Sequence, residues 1–234
     1  MNSIVLIFKP YEAFGIMARL LNEPSYSFIY NCSLGLEHAD SITGDGHKLL
    51  NVPYDCGFFF SRHPEIGTQV FQNPNAAYLA SGATDGILSP LNIGLENSRR
   101  FRALPVYTTL VAYGRNHYRK MVMRQVNLAR GIAKFILDQD EFELLPASGG
   151  SKEEILSRIF VIVLFRAKDQ RLNGELVQRI KDTRKVYVSG TQWEGQPACR
   201  FAISHWDAKV ERDLEVVKDV LLQVLGEAKT DSGI

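Results

Sequence analysis

The residues whose types and setting could do chemistry fall mainly in two stretches of this chain. The first is Asp40-Ser41-Ile42-Thr43-Gly44-Asp45-Gly46-His47-Lys48-Leu49-Leu50-Asn51-Val52-Pro53-Tyr54-Asp55-Cys56-Gly57. A lysine amine can condense with a carbonyl carbon, and a neighbouring histidine or aspartate can move or hold protons. A His-Lys pair by itself reads as an ordinary surface lysine; the long pattern around it is what singles out Lys48. The second stretch is Arg99-Arg100-Phe101-Arg102. Its guanidinium groups could grip a phosphate or carboxylate through paired hydrogen bonds, and they could equally form surface or interface ion pairs. Arg200 lies in a run that reads as a strand, where its charge needs either a bound carboxylate or a structural acid. Cys32, Cys56 and Cys199 are odd in number and unclustered, which supports neither a disulfide framework nor a zinc site, so no metal is expected.

Composition bounds the answer. The 234 residues, 45% hydrophobic and 23% charged, can bury one substantial core or two modest ones. A net charge of +1 from 27 basic and 26 acidic residues gives no field to attract nucleic acid or an anionic membrane. The start carries no basic leader or small-residue cleavage site, and no window approaches the roughly 18 apolar residues of a membrane span. A reducing, cytoplasmic setting is the expectation, with neither nucleic acid nor membrane as partner.

Several elements must position these residues. Ile4–Phe8 reads as a buried strand and Ala13–Leu21 as a helix ended by Asn22 and Pro24, followed by an aperiodic stretch to Ser33. The lysine falls between two strands, the second of which, ending in Cys56-Gly57-Phe58-Phe59-Phe60, suits burial on both faces. Ser61–Asn97 is rich in Gly, Pro, Asn and Ser and reads as mostly loop. A helix follows from Pro105 to Gly114. A second helix buries Tyr118, Met121, Val122, Leu128, Ala129, Ile132, Phe135 and Ile136, with Arg115, Arg119, Lys120, Arg124, Arg130 and Lys134 on a solvated face. Ser151 and Glu154 match a capping box, Phe160–Phe165 a strand, and Asn173 the cap of a helix reaching Arg184. Val186–Trp193 and Ala198–Ser204 read as strands joined by Glu194-Gly195-Gln196-Pro197, before a last helix ending near Gly226. The boundaries are 1–114 for a first domain, 115–138 for a connecting helix, 139–228 for a small α+β domain and 229–234 for a fraying tail.

The Lys48 stretch resembles the lysine segment of pyridoxal-phosphate-dependent group II amino-acid decarboxylases. Other blocks follow in the family's order: Ala13-Phe14-Gly15, Asn97-Ser98-Arg99-Arg100-Phe101-Arg102, Tyr187-Val188-Ser189-Gly190-Thr191 and Cys199-Arg200-Phe201-Ala202-Ile203-Ser204. The resemblance runs from about Glu12 to Leu225 and implies an α/β chain: part of a fold type I large domain, then a small α+β C-terminal domain. It implies pyridoxal 5'-phosphate as cofactor and an amino-acid substrate, with a homodimer or heterodimer as the working unit.

By the same resemblance Lys48 forms the Schiff base and His47 lies beside the cofactor, both catalytic and cofactor-binding. Asp45 matches a position near the phosphate, and Ser98 one that reaches the phosphate of the neighbouring subunit. Arg200 is a further candidate for the substrate carboxylate. The implied reaction removes the α-carboxylate of an amino acid to give an amine and CO2. Tyr78 and Ser81–Leu88 fall in the family's mobile loop, and no tyrosine occurs within Ser81–Leu88 to donate a proton. The chain departs from the pattern at Lys9-Pro10-Tyr11-Glu12, where Tyr11 stands in place of the aspartate that pairs with the cofactor's ring nitrogen. Lys48 also comes early, so the chain reads as a C-terminal portion that lacks the phosphate loop. The alternative is therefore a truncated, catalytically inactive decarboxylase-derived protein that acts through dimerisation or binding.

Overall fold

The computed structural model describes residues 5–6, 17–71, 94–95, 100–146 and 149–231. In chain order its elements are β1 (Val5–Leu6), α1 (Ser27–Asn31), β2 (Ser41–Asp45), β3 (Gly57–Ser61), α2 (Pro64–Phe71), α3 (Ala103–Leu137), β4 (Phe142–Leu145), α4 (Lys152–Arg158), β5 (Ile162–Ala167), α5 (Gln170–Asp182), β6 (Ser189–Trp193), β7 (Gln196–Ala202) and α6 (Val210–Asp231). They divide into two compact units, one of Met1–Met17 and Ser33–Arg115, the other of Ala18–Cys32 and Asn116–Ile234. Gly114, at φ 66° and ψ 168°, interrupts the helical geometry of α3 next to that division, where the sequence placed a helix end.

The first unit holds a three-stranded sheet in the order β1-β2-β3, with β1 parallel and β3 antiparallel to β2. Met17, Ala39, Leu49 and Val52 are buried in this unit. The expectation that the Phe58–Phe60 strand is buried on both faces is corrected: Phe59 is 68% exposed and Phe60 50%. Adjacent residues of a strand point to opposite faces, so the exposure of both rings means that, among the described residues, neither face of β3 is fully covered. The Ser61–Asn97 stretch is also corrected in part. His63-Pro64 opens α2 through Phe71, with the proline in the first turn where its missing N–H costs no bond; residues 72–93, including Tyr78 and Ser81–Leu88, lie outside the described residues.

The second unit is a four-stranded antiparallel sheet in the order β4-β5-β7-β6. Leu128, Ala129, Ile132 and Ile136 of α3, Leu176 and Ile180 of α5, and Val220, Leu221 and Val224 of α6 form one core with Val163, Phe165 and Phe201 of the sheet. Phe165 stacks on Phe201 at 5.4 Å and meets Phe142 edge-on at 5.6 Å. The capping box of α4 is complete: Glu154 N–H donates to Ser151 Oγ, and Ser151 N–H to the Glu154 carboxylate. Trp193 pairs with Gln196 across a two-residue turn in which Glu194 and Gly195 have φ of 52° and 76°, the twist-matched geometry for a tight hairpin.

Four readings of this unit change. β4 was not expected; its four residues alternate too briefly to stand out, and pairing with β5 creates it. The cap of α5 is Asp169, which accepts from Leu172 N–H, while Asn173 bridges Ala167 N–H and the Pro197 carbonyl. α6 continues past Gly226 to Asp231, with the Lys229 ammonium 2.8 Å from Glu141. The basic residues of α3 are not simply solvated. Arg130 donates to the carbonyls of Ser25, Ser157 and Ile159 and lies over the Tyr26 ring, Arg119 pairs with Glu23, and Arg124 donates to the Trp206 carbonyl. No described helix is long and apolar enough to cross a membrane.

Candidate functional site around Lys48

The Lys48 segment is the connection between β2 and β3. The register pairs Asp45 with Gly57, so Cys56 stands opposite Gly46 and closes the loop, its carbonyl accepting Gly46 N–H at 2.8 Å. The two glycines around Asp45 answer to close approaches. A Cβ on Gly44 would sit 2.6 Å from the Phe58 ring, and one on Gly46 2.6 Å from Cys56 Sγ. Inside the loop Val52 N–H donates to the Gly46 carbonyl and Asn51 N–H to the Lys48 carbonyl. Asn51 has φ 54°, a left-handed conformation that asparagine tolerates better than most residues. Leu49 and Val52 are 3% and 4% exposed. These two anchors fix the backbone on which Lys48 stands, while its own side chain is 54% exposed.

Three side chains converge on this turn. Lys48 Nζ lies 2.5 Å from Asp45 Oδ2, and the Asp45 carboxyl is held below the usual carboxylate range. The Lys48 hydrogen bond is the main cause, partial burial opposes it, and the charges of Lys48 and His47 add to it. His47 packs against Tyr54 with ring centroids 4.4 Å apart. Its Nδ1 is 2.9 Å from the Cys56 carbonyl and 3.2 Å from the Cys56 nitrogen. Both contacts tie the ring to the Cys56 backbone and orient it. The arrangement can offer an exposed amine to a carbonyl compound beside an oriented imidazole.

Of the residues expected at a site, Asp45, His47 and Lys48 are brought together. Ser98 lies outside the described residues, as do Tyr11 and Arg99; Arg100 is exposed. Arg200 belongs to the second unit, on β7 opposite Leu164 and Ser189. It is half-buried between the buried Cys199 and Phe201, and alternation puts it on the sheet face away from them. Tyr54 and Cys56 were legible only as parts of a motif. Their roles, ring support and backbone anchor for His47, follow from the hairpin register and have no local signal.

Residues 26–167, more than half of the chain, match the family described as pyridoxal-dependent decarboxylase conserved domain. Among curated proteins the chain is 28% identical over 178 residues to 3,4-dihydroxyphenylacetaldehyde synthase of Drosophila melanogaster, covering 75% of this chain and 33% of that protein. It is 26% identical over 178 residues to tyrosine decarboxylase 2 of Arabidopsis thaliana, covering 72% and 31%. The chain thus spans about a third of the length of these relatives. The crystal structure of Oryza sativa TDC with PLP and tryptamine superposes with a TM-score of 0.71 at 23% identity, over 86% of this chain and 41% of that one. The fold is accordingly a mixed helix and sheet portion of the decarboxylase fold, and the chain belongs to the pyridoxal-dependent decarboxylase family.

Proposed function

We propose that this chain is the lysine-bearing part of a pyridoxal-phosphate-dependent amino-acid carboxy-lyase, with Lys48 as the residue that holds the cofactor. One observation carries the reading: in a segment that matches the family, the Lys48 amine is exposed on a turn whose backbone is fixed by Leu49, Val52, Gly46 and Cys56. The cofactor's aldehyde end fits there. The phosphate fits less well beside Asp45, since an ionised carboxylate repels it, and we assign Asp45 to Lys48 rather than to the phosphate.

When bound, pyridoxal phosphate takes up the electron pair left on Cα as CO2 departs. The chain's own contributions are attachment through Lys48 Nζ and an imidazole at His47, oriented by the Cys56 backbone, that can hold or move a proton. The relatives named as a tyrosine decarboxylase and a dihydroxyphenylacetaldehyde synthase favour an aromatic amino acid as substrate. Residues 1–114 as part of the cofactor domain, 115–138 as connecting helix and 139–228 as the small domain belong to the same reading. So do Ser98 at the phosphate, Arg200 at the substrate carboxylate, a dimeric working unit and a cytoplasmic setting, the last supported by three free cysteines. A second reading, a decarboxylase-derived chain that acts by association, is favoured by the exposed Phe59 and Phe60 of β3.

The test is a titration of the purified protein with pyridoxal phosphate beside Lys48→Ala, followed by assay of amine and CO2 from aromatic amino acids. A saturable visible absorbance band absent from Lys48→Ala, together with product, is expected. A band of equal size in both proteins would overturn the assignment of Lys48, and a Lys48-dependent band without product would favour the second reading.

A further inference from the structure

The Lys48 amine is capped. Asp45 Oδ2 lies 2.5 Å from Nζ, and both residues stand on backbone that has little room to move. Asp45 ends β2 in register with Gly57 and is flanked by two glycines pressed against the Phe58 ring and Cys56 Sγ. Lys48 precedes the buried Leu49, and its carbonyl accepts Asn51 N–H. The carboxylate is therefore presented to the ammonium by a short side chain on fixed backbone. His47 is the other titratable group that acts on Asp45.

A nitrogen engaged with a carboxylate must leave it before it can reach a carbonyl carbon, and Lys48 Nζ is so engaged with Asp45. We infer that Asp45 is a positioning residue that holds Lys48 as an ion-paired ammonium, so that joining Lys48 to any aldehyde requires this pair to open first. In the step, the ammonium gives up one proton and Nζ forms a bond to the carbonyl carbon. The carbonyl oxygen then leaves as water, taking two hydrogens, while the proton first released returns to the nitrogen. Overall one ammonium and one aldehyde become one protonated C=N group and one water. The biological meaning of this cap rests on the reading of Lys48 as the cofactor lysine; the cap itself does not.

Both can be examined with the full chain. Lys48 in the parent, Asp45→Asn and Asp45→Glu proteins is labelled at pH 7 with an uncharged acylating reagent and quantified by peptide mass spectrometry against Lys185. In parallel, each protein is mixed with pyridoxal phosphate, reduced with borohydride, and the Lys48 peptide is scored for attachment. Exposed ion pairs are worth little, so removing this one should speed both reactions at Lys48 between about 1.5- and 5-fold in Asp45→Asn. Asp45→Glu, which keeps the carboxylate, should react like the parent. Unchanged or slower acylation in Asp45→Asn overturns the proposal. Equal acceleration in both variants also overturns it, because loosening of the turn then explains the effect. Faster acylation in Asp45→Asn alone, with no pyridoxal phosphate on Lys48 in any protein, sustains the cap and sinks the cofactor reading.

Discussion

Replacing Gly46 by alanine tests the packing that builds the lysine turn. Gly46 does not occupy a left-handed conformation, so alanine's backbone preferences are not at issue; the penalty is steric. The new Cβ would lie 2.6 Å from Cys56 Sγ, with Cys56 Cβ at 3.5 Å and its carbonyl oxygen at 3.6 Å. Relief requires turning the Cys56 side chain or shifting its backbone, and that backbone accepts Gly46 N–H and orients His47. Overpacking of this kind costs about 1–3 kcal/mol. Both tryptophans, Trp193 and Trp206, lie in the second unit, so fluorescence would miss the change. Amide hydrogen exchange at residues 46, 51 and 52 reads it directly and should quicken roughly 5- to 150-fold, the equivalent of that cost in local opening. Cys56→Ala in the same chain removes the clashing sulfur, so the double variant should exchange like Cys56→Ala alone. Unchanged exchange in Gly46→Ala, or a double variant in which the two effects add, would refute the reasoning.

Three further outcomes follow from the second unit and the cysteines. Leu176→Ala, at a fully buried site in the α5 core, should lower the unit's stability by about 2–5 kcal/mol, measured by denaturant unfolding with tryptophan fluorescence. Burial pushes the Cys199 thiol up to about 12, so in native protein at pH 8 iodoacetamide should label exposed Cys32 and leave Cys199 untouched until denaturant is added. Hydrogen bonds from Lys134 and Lys152 hold Asp138 at about 2, below the ordinary 3.8. Its contribution to stability is thus fully present above pH 3.8 and lost as the pH falls toward 2; in Lys152→Met the Asp138 midpoint, followed by carboxyl NMR, should rise.

Local pattern was enough wherever one stretch of chain carries its own signal. The apolar spacing of α3 from Tyr118 to Ile136, the Ser151–Glu154 capping box and the break at Gly114 are each written within a turn or two of sequence, and the structure holds them; the turn read at Glu194–Pro197 is narrowed to Glu194-Gly195, with Gln196 and Pro197 in β7. The Lys48 motif was legible as a long word of the family. What its residues do to one another was not, because contact between Asp45 and Lys48, His47 and Tyr54, or Gly46 and Cys56 depends on the loop that the β2–β3 register closes. The same limit hid β4, which exists through pairing with β5, and the three carbonyls gathered by Arg130 from distant segments. It also misjudged Phe59 and Phe60, since a strand's sequence records that it can be buried on both faces, but only what packs over those faces decides whether it is. Sequence by itself determined the family, the candidate lysine and most helices, because those rest on residue type and short spacing. Tertiary structure alone decided which groups surround that lysine, because hydrogen bonds and ion pairs act over a few ångströms and are indifferent to distance along the chain.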